Sequence, residues 1–459
     1  MAAGRPSRAR ALEPLARLPQ PRLHPIRSPP QPRLARVEAR EPARRLPAGE
    51  RLEAAPPTAA VKEAAGARPA RLRDELPETG VDPLEALFGT PWVRRASDRP
   101  VVVLARRPAS SRFEYLELAK RVIREVYRVS SRSPPFVQHV ARRLTEYQLA
   151  MMRGGAAIYV IDADAVAEAE AGGAALGRLI TALEDRLREI YAQGFGFLVV
   201  YGSSSSLRRV VEIWRPSIAG GAVYARLPQP VRIELPEDES VFSFIEALYA
   251  LRSGSLSAAE SVDEAVVKAE DTLYSCLEAA ANDPVFGRMT RHAIDDEEAR
   301  PDDAFLHYAL KVLSVQQLVE QGYSEASIET EVSLSNIPVD VLLKRGWSGG
   351  LVVEAETLSG SMNPSARLNA VASRVTALGY PLWIVVPPPT AGIYKPYIEA
   401  VMSRFEKYGT VEFYTVSAST CTLLPLEEYY ARLDEAAGRL LERRYSLHTS
   451  AGGRMPSLL

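Results

Sequence analysis

The pattern of apolar and polar positions changes character several times along this 459-residue chain. Three short continuous apolar runs stand at 101–105 (VVVLA), 156–162 (AAIYVID) and 197–201 (FLVVY). Such runs read as strands buried on both faces of a parallel sheet. Between them, 113–129 carries Tyr115, Leu116, Ala119, Val122, Ile123 and Val126 at helical spacing. Further amphipathic stretches at about 135–152 and 174–193 predict two more helices. Strands alternating with helices predict βαβ units, so 95–235 is expected to form a parallel α/β domain. Residues 239–300 read as a helical bridge that ends in the breaker-rich, acidic stretch AIDDEEARPDD.

The pattern then takes a different order. A helix is predicted over about 304–321. Strand-like runs follow at 327–334, 339–344 and 351–357, then a helix over about 364–378. The run LWIVV at 382–386 is a strand ended by the prolines 387–389. A helix at 397–408, a strand at 411–415 and a last helix at about 426–444 complete the block. The order is α-β-β-β-α-β-α-β and a final helix, which makes 301–445 a second α/β domain, followed by a short tail at 446–459. No internal repeat breaks this two-domain reading.

Composition changes the picture mainly at the N-terminus. Residues 1–80 hold 14 of the 35 prolines, no aromatic residue, and 16 basic against 9 acidic side chains, a local charge of +7. Such a segment buries too little apolar surface to offset its ordering entropy. It is expected to be a disordered, basic Pro/Arg-rich tail, either a solvated extension or an arm for nucleic acid. Over the whole chain 56 basic and 57 acidic side chains nearly cancel, so net charge points to no partner. Two cysteines and five scattered histidines offer no zinc motif and no basis for a disulfide framework. No apolar run approaches the roughly 20 residues needed to span a bilayer. The N-terminus has no apolar secretory core. A soluble cytoplasmic protein with no membrane partner is therefore expected. Abundant Arg, Ala and Glu with scarce Asn fit a thermophile, or a GC-rich genome.

Candidate chemistry in the first domain is thin. Asp162 ends an apolar strand, as a Mg²⁺-holding aspartate does in P-loop ATPases. The phosphate-cradling motif G-x-x-x-x-G-K-[ST] is absent, however, and the loop RRPASSR after the first strand has no glycine. An aspartate at this place is more often a cap. The run GSSSSLRR at 202–209 offers small polar residues at a helix start, suited to a phosphate or simply to N-capping. The domain resembles a degenerate ATPase-like or Rossmann-like module.

The second domain carries more. Side chains alternate along a strand. Glu329 and Glu331 therefore share a face, as do Asp340, Leu342 and Lys344, and as do Val352, Glu354 and Glu356. If these strands are neighbours, Glu331, Asp340, Glu354 and Glu356 gather at one edge. Carboxylates so close repel one another unless a hard cation compensates them, and oxygen ligands favour Mg²⁺, Mn²⁺ or Ca²⁺ over zinc.

The run IPVDVLLKRGWSGGLVVEAET resembles the central motif of the PD-(D/E)xK nuclease superfamily, the restriction-endonuclease-like fold with an αβββαβ core. Pro338 and Asp340 match its first half, with Val339 between them, and Glu354 matches its acidic position, with 13 residues between it and Asp340. The resemblance covers about 300–420. It implies a metal-dependent DNA endonuclease that hydrolyses phosphodiester bonds. Asp340, Glu354 and Glu331 would hold Mg²⁺ or Mn²⁺, Glu356 would complete the site, and the Ala355 carbonyl would be a further ligand. Glu356 stands where the family has lysine, giving E-x-E. Lys344, on the face of Asp340, is the first candidate to replace that lysine, and Arg367 the second. His307 and Lys311, four apart on one helix face, and Arg367 and Arg374, seven apart on another, are candidate nucleic-acid contacts. DNA is the implied partner, and many nucleases of this type act as homodimers. Two rival readings remain: a catalytically inactive nuclease-fold module that binds DNA or protein, and a regulatory protein built on the ATPase-like half.

Overall fold

Five parallel strands make the first sheet: β1 (Pro100–Arg106), β2 (Phe136–Val140), β3 (Ala157–Asp162), β4 (Gly196–Gly202) and β5 (Val231–Ile233). Their spatial order is β2-β3-β4-β1-β5. The computed structural model describes residues 80–91, 93–94, 100–130, 136–140, 157–168, 196–219, 230–291, 301–346, 350–407 and 409–450. All of these fall in one compact unit, Arg73–Leu459. The apolar runs read from the sequence are β1, β3 and β4. The described residues of β3 and β4 are buried throughout except Asp162, as expected of strands covered on both faces. The Leu116–Ser130 helix follows β1 and buries the predicted Ala119, Val122, Ile123 and Val126.

Three differences from the sequence reading concern this half. Residues 136–140, placed within an amphipathic helix, form edge strand β2. Its FVQHV sequence has apolar positions at both periods, and pairing with β3 decides for the strand. The short β5 beside β1 carries too few apolar residues to stand out. The Pro83–Phe88 helix is too short to show in the apolar pattern, although its signals are local: Asp82 accepts the Leu84 N–H at 2.8 Å, Pro83 opens the first turn, and Gly89 closes it at φ 72°. The predicted helix at 174–193, the rest of 135–152 and the tail over 1–79 lie outside the described residues.

Between the sheets the chain is helical, as expected, at Ser240–Leu248, Val262–Ala281 and Phe286–Met289. Ser261 caps the second of these by accepting the Glu264 N–H.

The second sheet has six strands: β6 (Ile328–Leu334), β7 (Ile337–Lys344), β8 (Gly350–Ala355), β9 (Leu382–Val385), β10 (Val411–Ser417) and β11 (Thr422–Pro425). They lie in sequence order across the sheet. β6, β7 and β8 form an antiparallel meander, β8, β9 and β10 run parallel, and β11 returns as a hairpin. The Pro301–Glu320 helix precedes β6 and the Pro364–Thr376 helix joins β8 to β9. The crossover that the parallel strands β8 and β9 require is made by that helix. The α-β-β-β-α-β order is thus present. The Pro388–Ile393 helix and β11 are additions that the apolar pattern did not announce.

Every residue of β8 is buried, which puts Glu354 inside a central strand. One continuous apolar core extends from Leu84 in the first half to Leu440 in the last helix. Arg128, at the end of the Leu116–Ser130 helix, ties the two sheets' helices together. It makes a forked pair with Glu125 (2.6 and 2.8 Å) and reaches Asp303 at 3.1 Å. Contrary to the expectation of no disulfide framework, the two cysteines form a disulfide between Cys276 of the Val262–Ala281 helix and Cys421 in the β10–β11 turn. Among the described residues no helix is long and apolar enough to cross a membrane.

Candidate functional site

The antiparallel register of β7 and β8 places the carboxylates. Val341 faces Val353 and Leu342 faces Val352. One further residue sets Asp340 opposite Glu354, and cross-strand neighbours of this kind have Cβ atoms about 5 Å apart. Glu356 continues on the same face; its N–H donates to the Val385 carbonyl at 2.8 Å, which keeps the chain strand-like past the end of β8. Both glutamates are 5 % exposed. They form a buried acidic floor.

Two helices deliver the countercharges. From Pro301–Glu320, His307 Nε2 lies 3.2 Å from Asp340 Oδ2, the oxygen that also accepts the Ala355 N–H at 2.7 Å. One turn on, the fully buried Lys311 ammonium donates to Glu331 and, at 3.1 Å, to the Arg291 carbonyl. From Pro364–Thr376, Arg367 Nε donates to Glu356 Oε2 at 3.1 Å and Arg374 Nη2 donates to Glu354 Oε1 at 3.3 Å. The structure therefore brings together eight of the nine residues singled out from the sequence.

Lys344 is the exception. It shares the face of Asp340, but four residues of strand separate them by about 13 Å. At the far end of β7 it pairs with the exposed Glu329. The lysine whose charge acts on Asp340 is Lys311, contributed by the helix. Period-two parity fixes the face of a strand residue but not its place along the strand. Glu331 is likewise turned from the role expected of it. Its backbone takes a left-handed φ of 52° between two ordinary ladder pairs, and its carboxylate serves Lys311.

The electrostatics separate the three central acids. Burial alone would raise the Asp340 carboxyl; His307, Lys311 and the Ala355 N–H outweigh it and hold that carboxyl below its ordinary value. Glu354 is pushed up to about 9 by burial and by Asp340 and Glu356, with Arg374 and Arg367 offsetting only part. Glu356 is raised by burial and Asp340, against the pull of Arg367. For the two glutamates, burial and the neighbouring acids outweigh the arginines.

That arrangement bears on metal. Among the described residues no three His, Cys, Asp or Glu side chains are arranged as a ready-made cage. Mg²⁺ does not need one, because it commonly takes one or two protein carboxylates and keeps its waters or substrate oxygens. Asp340 and Glu354 side by side, with Glu356 adjacent, are hard oxygen donors. They fit such a cation.

The loop after Glu356 was not legible as part of this site. Leu358, Gly360 and Met362 all take positive φ, at 58°, 63° and 55°. Its N–H groups cap the Leu116–Ser130 helix, from Gly360 to the Arg128 carbonyl at 2.9 Å and from Met362 to Val129 at 3.2 Å. Ser359 donates to Asp303 at 2.8 Å, one turn before His307. The first half of the protein thus fixes both the loop and the helix that frame the acidic floor.

The ends of the parallel strands tell a different story. Arg107 spans Asp162 (2.8 Å) and Asp164 (3.0 Å) and lies over the Tyr201 ring. Asp162 accepts the Ala165 N–H at 3.0 Å, the capping role weighed for it. Asp164 takes the Ser203 N–H and hydroxyl, so the serine-rich helix start holds an internal carboxylate. The glycine-free loop after β1 does wrap an oxyanion, contrary to the sequence reading: Ala109 and Ser110 N–H groups donate to Glu237 at 2.8 and 3.1 Å. Both phosphate-like positions are filled by the chain's own acids. Comparison of the chain with protein-family models, with curated proteins and with solved structures finds no match.

Proposed function

We propose that the β6–β11 half is a metal-dependent DNA endonuclease with a restriction-endonuclease-like αβββαβ core, acting on phosphodiester bonds. The observation that carries this reading is the pairing of Asp340 with Glu354 across two central strands, with Glu356 two residues on. Two buried glutamates with a half-buried aspartate beside them are costly to fold around, and a site for a divalent cation explains their cost.

Asp340 and Glu354 would hold Mg²⁺ or Mn²⁺, with Glu356 beside them. Such an ion supplies a more acidic bound water and charge to offset a scissile phosphate. His307 and the Ala355 N–H fix the Asp340 carboxylate in place and keep it ionised. Lys311 supplies the positive field that Lys344, at the far end of its strand, does not. Arg367 and Arg374 stand at the mouth, where a nucleic-acid backbone would pass.

The test is cleavage of labelled linear, single-stranded and branched DNA with Mg²⁺ or Mn²⁺, beside EDTA and an Asp340→Ala/Glu354→Ala variant. Metal-dependent cleavage lost in the variant is the expected result. A second reading is a catalytically inactive module that binds DNA. It is favoured by the E-x-E sequence, in which arginine rather than lysine adjoins the second acid. DNA binding with no cleavage on any substrate would decide for it.

A further inference from the structure

We propose that Arg367 and Arg374 are exchangeable counter-charges, which lie on the acidic floor without metal and move to DNA phosphates when a divalent cation takes the carboxylates. Metal and DNA would then bind cooperatively. The proposal rests on the nuclease reading and adds to it a form of regulation.

The geometry of the two pairs differs from that of a structural arginine in the same molecule. Arg128 grips Glu125 with two parallel hydrogen bonds of 2.6 and 2.8 Å. Arg367 and Arg374 each touch a glutamate by one hydrogen bond, at 3.1 and 3.3 Å. Single-point contacts at these distances forgo the fork that makes arginine–carboxylate pairs strong. Arg374 Nε is in addition buried with no hydrogen-bond partner. Its guanidinium has donor capacity that this position does not use.

Exposure is divided unequally within each pair. The arginine side chains are 55 % and 36 % exposed, while their glutamates are 6 % and 7 % exposed. The guanidiniums reach in from the mouth and can leave without crossing the core. The carboxylates cannot follow, and stripping Glu356 of its countercharge would strand a buried acid. A cation that takes the carboxylates is what would release the arginines. One divalent ion carries the charge of the two guanidiniums it would replace.

The released groups suit a nucleic-acid backbone. They sit seven residues apart on one helix, about 10 Å along its axis. Guanidinium binds phosphate oxygens as it binds carboxylate oxygens, often with two bonds. By linkage, whatever the cation adds to DNA affinity, DNA adds to cation affinity.

The experiment uses the full chain and two readouts that need no catalysis. Mn²⁺ binding without DNA is followed by electron paramagnetic resonance. Binding of a fluorescent duplex is followed by anisotropy with and without Ca²⁺. In the wild type, Ca²⁺ is expected to tighten duplex binding roughly tenfold. In Arg367→Gln/Arg374→Gln, Mn²⁺ should bind several-fold more tightly, because its competitors are gone, while duplex binding becomes weaker and insensitive to Ca²⁺. Arg367→Lys/Arg374→Lys, which keeps both charges, should retain a Ca²⁺-dependent gain and guards against a folding defect in the first variant. An undiminished Ca²⁺ effect in the glutamine variant, or unchanged Mn²⁺ affinity, overturns this proposal and leaves the nuclease reading standing. No Mn²⁺ binding that Asp340→Asn removes overturns both.

Discussion

Breaking the Cys276–Cys421 bond tests the architecture at its longest covalent link. The bond ties the helix between the two sheets to the β10–β11 turn, across 145 residues of sequence. In the chain-entropy account a loop of that length restricts the unfolded chain by about 17 cal/mol/K, or about 5 kcal/mol at room temperature. For the 387 residues of Arg73–Leu459 unfolding together, the melting entropy is about 0.8 kcal/mol/K. The quotient is a fall of about 6 °C in Tm. The assay is calorimetry of the wild type with and without a phosphine reductant, beside Cys276→Ser/Cys421→Ser, with free thiols counted by alkylation and mass spectrometry. Oxidised wild type should show no alkylatable thiol in the native state, and both perturbations should lower Tm alike. The reasoning fails if the serine variant melts with the oxidised wild type, or if native protein alkylates at both cysteines. Such bonds are rare in the cytosol of mesophiles and persist inside hyperthermophiles. A bond found intact in protein from a reducing cytoplasm would thus favour the thermophile reading of the composition.

Two further perturbations follow from buried charge. Glu331→Gln should cost about 3–5 kcal/mol in urea denaturation, because it leaves the fully buried Lys311 ammonium without its carboxylate; Lys311→Met/Glu331→Leu should restore most of that loss, and a mild effect of the single change would refute the pairing. Asp263, in the first turn of the Val262–Ala281 helix, is pushed up to about 6 by burial and by Glu114 and Glu117, from an ordinary 3.8. The folded chain thus binds this proton more tightly than the unfolded chain. The stability linked to it is full below 3.8 and is lost as pH rises through about 6. Asp263→Asn should therefore stabilise the protein by roughly 1–2 kcal/mol at mildly alkaline pH, solvent screening allowed for, and not in acid. Melting curves across that range check it, and a parallel shift at both ends would refute it.

The second half was more legible than the first because its signals are local and agree with one another. β8 reads as a central strand from LVV alone, and the structure buries it on both faces. The strands on either side have turn residues at their ends, and Asn336 at φ 66° closes the β6–β7 hairpin. In the first half, 136–140 pairs with a strand some twenty residues away, so its conformation is set by a partner that no window of sequence contains. β5 has the same difficulty, with only Val103, Leu104 and Ala105 to pair with.

The candidate site shows where periodicity stops being informative. Parity correctly put Asp340, Glu354 and Glu356 on one face, and helical spacing put His307 with Lys311 and Arg367 with Arg374. Which lysine serves the cluster could not be read this way. Lys344 had the right face and the wrong height, while Lys311 arrives from another element at a height set by how the Pro301–Glu320 helix packs on β7 and β8. That packing is in turn held by Asp303, Arg128 and the loop after Glu356. A cluster of strand carboxylates can therefore be located from sequence, whereas the cations beside it depend on tertiary contacts more than 150 residues apart. The E-x-E sequence is not short of positive charge. With Lys311 acting on Asp340 and Arg367 on Glu356, the positive charge that a strand lysine would carry is divided between two helices. One of those groups is locked in the core and the other is open to solvent. A lysine on the strand itself would be fixed beside the carboxylates, whereas the two guanidiniums are open to solvent; on the proposed nuclease reading, that makes the two arginines the place where activity and inactivity of this site would be decided.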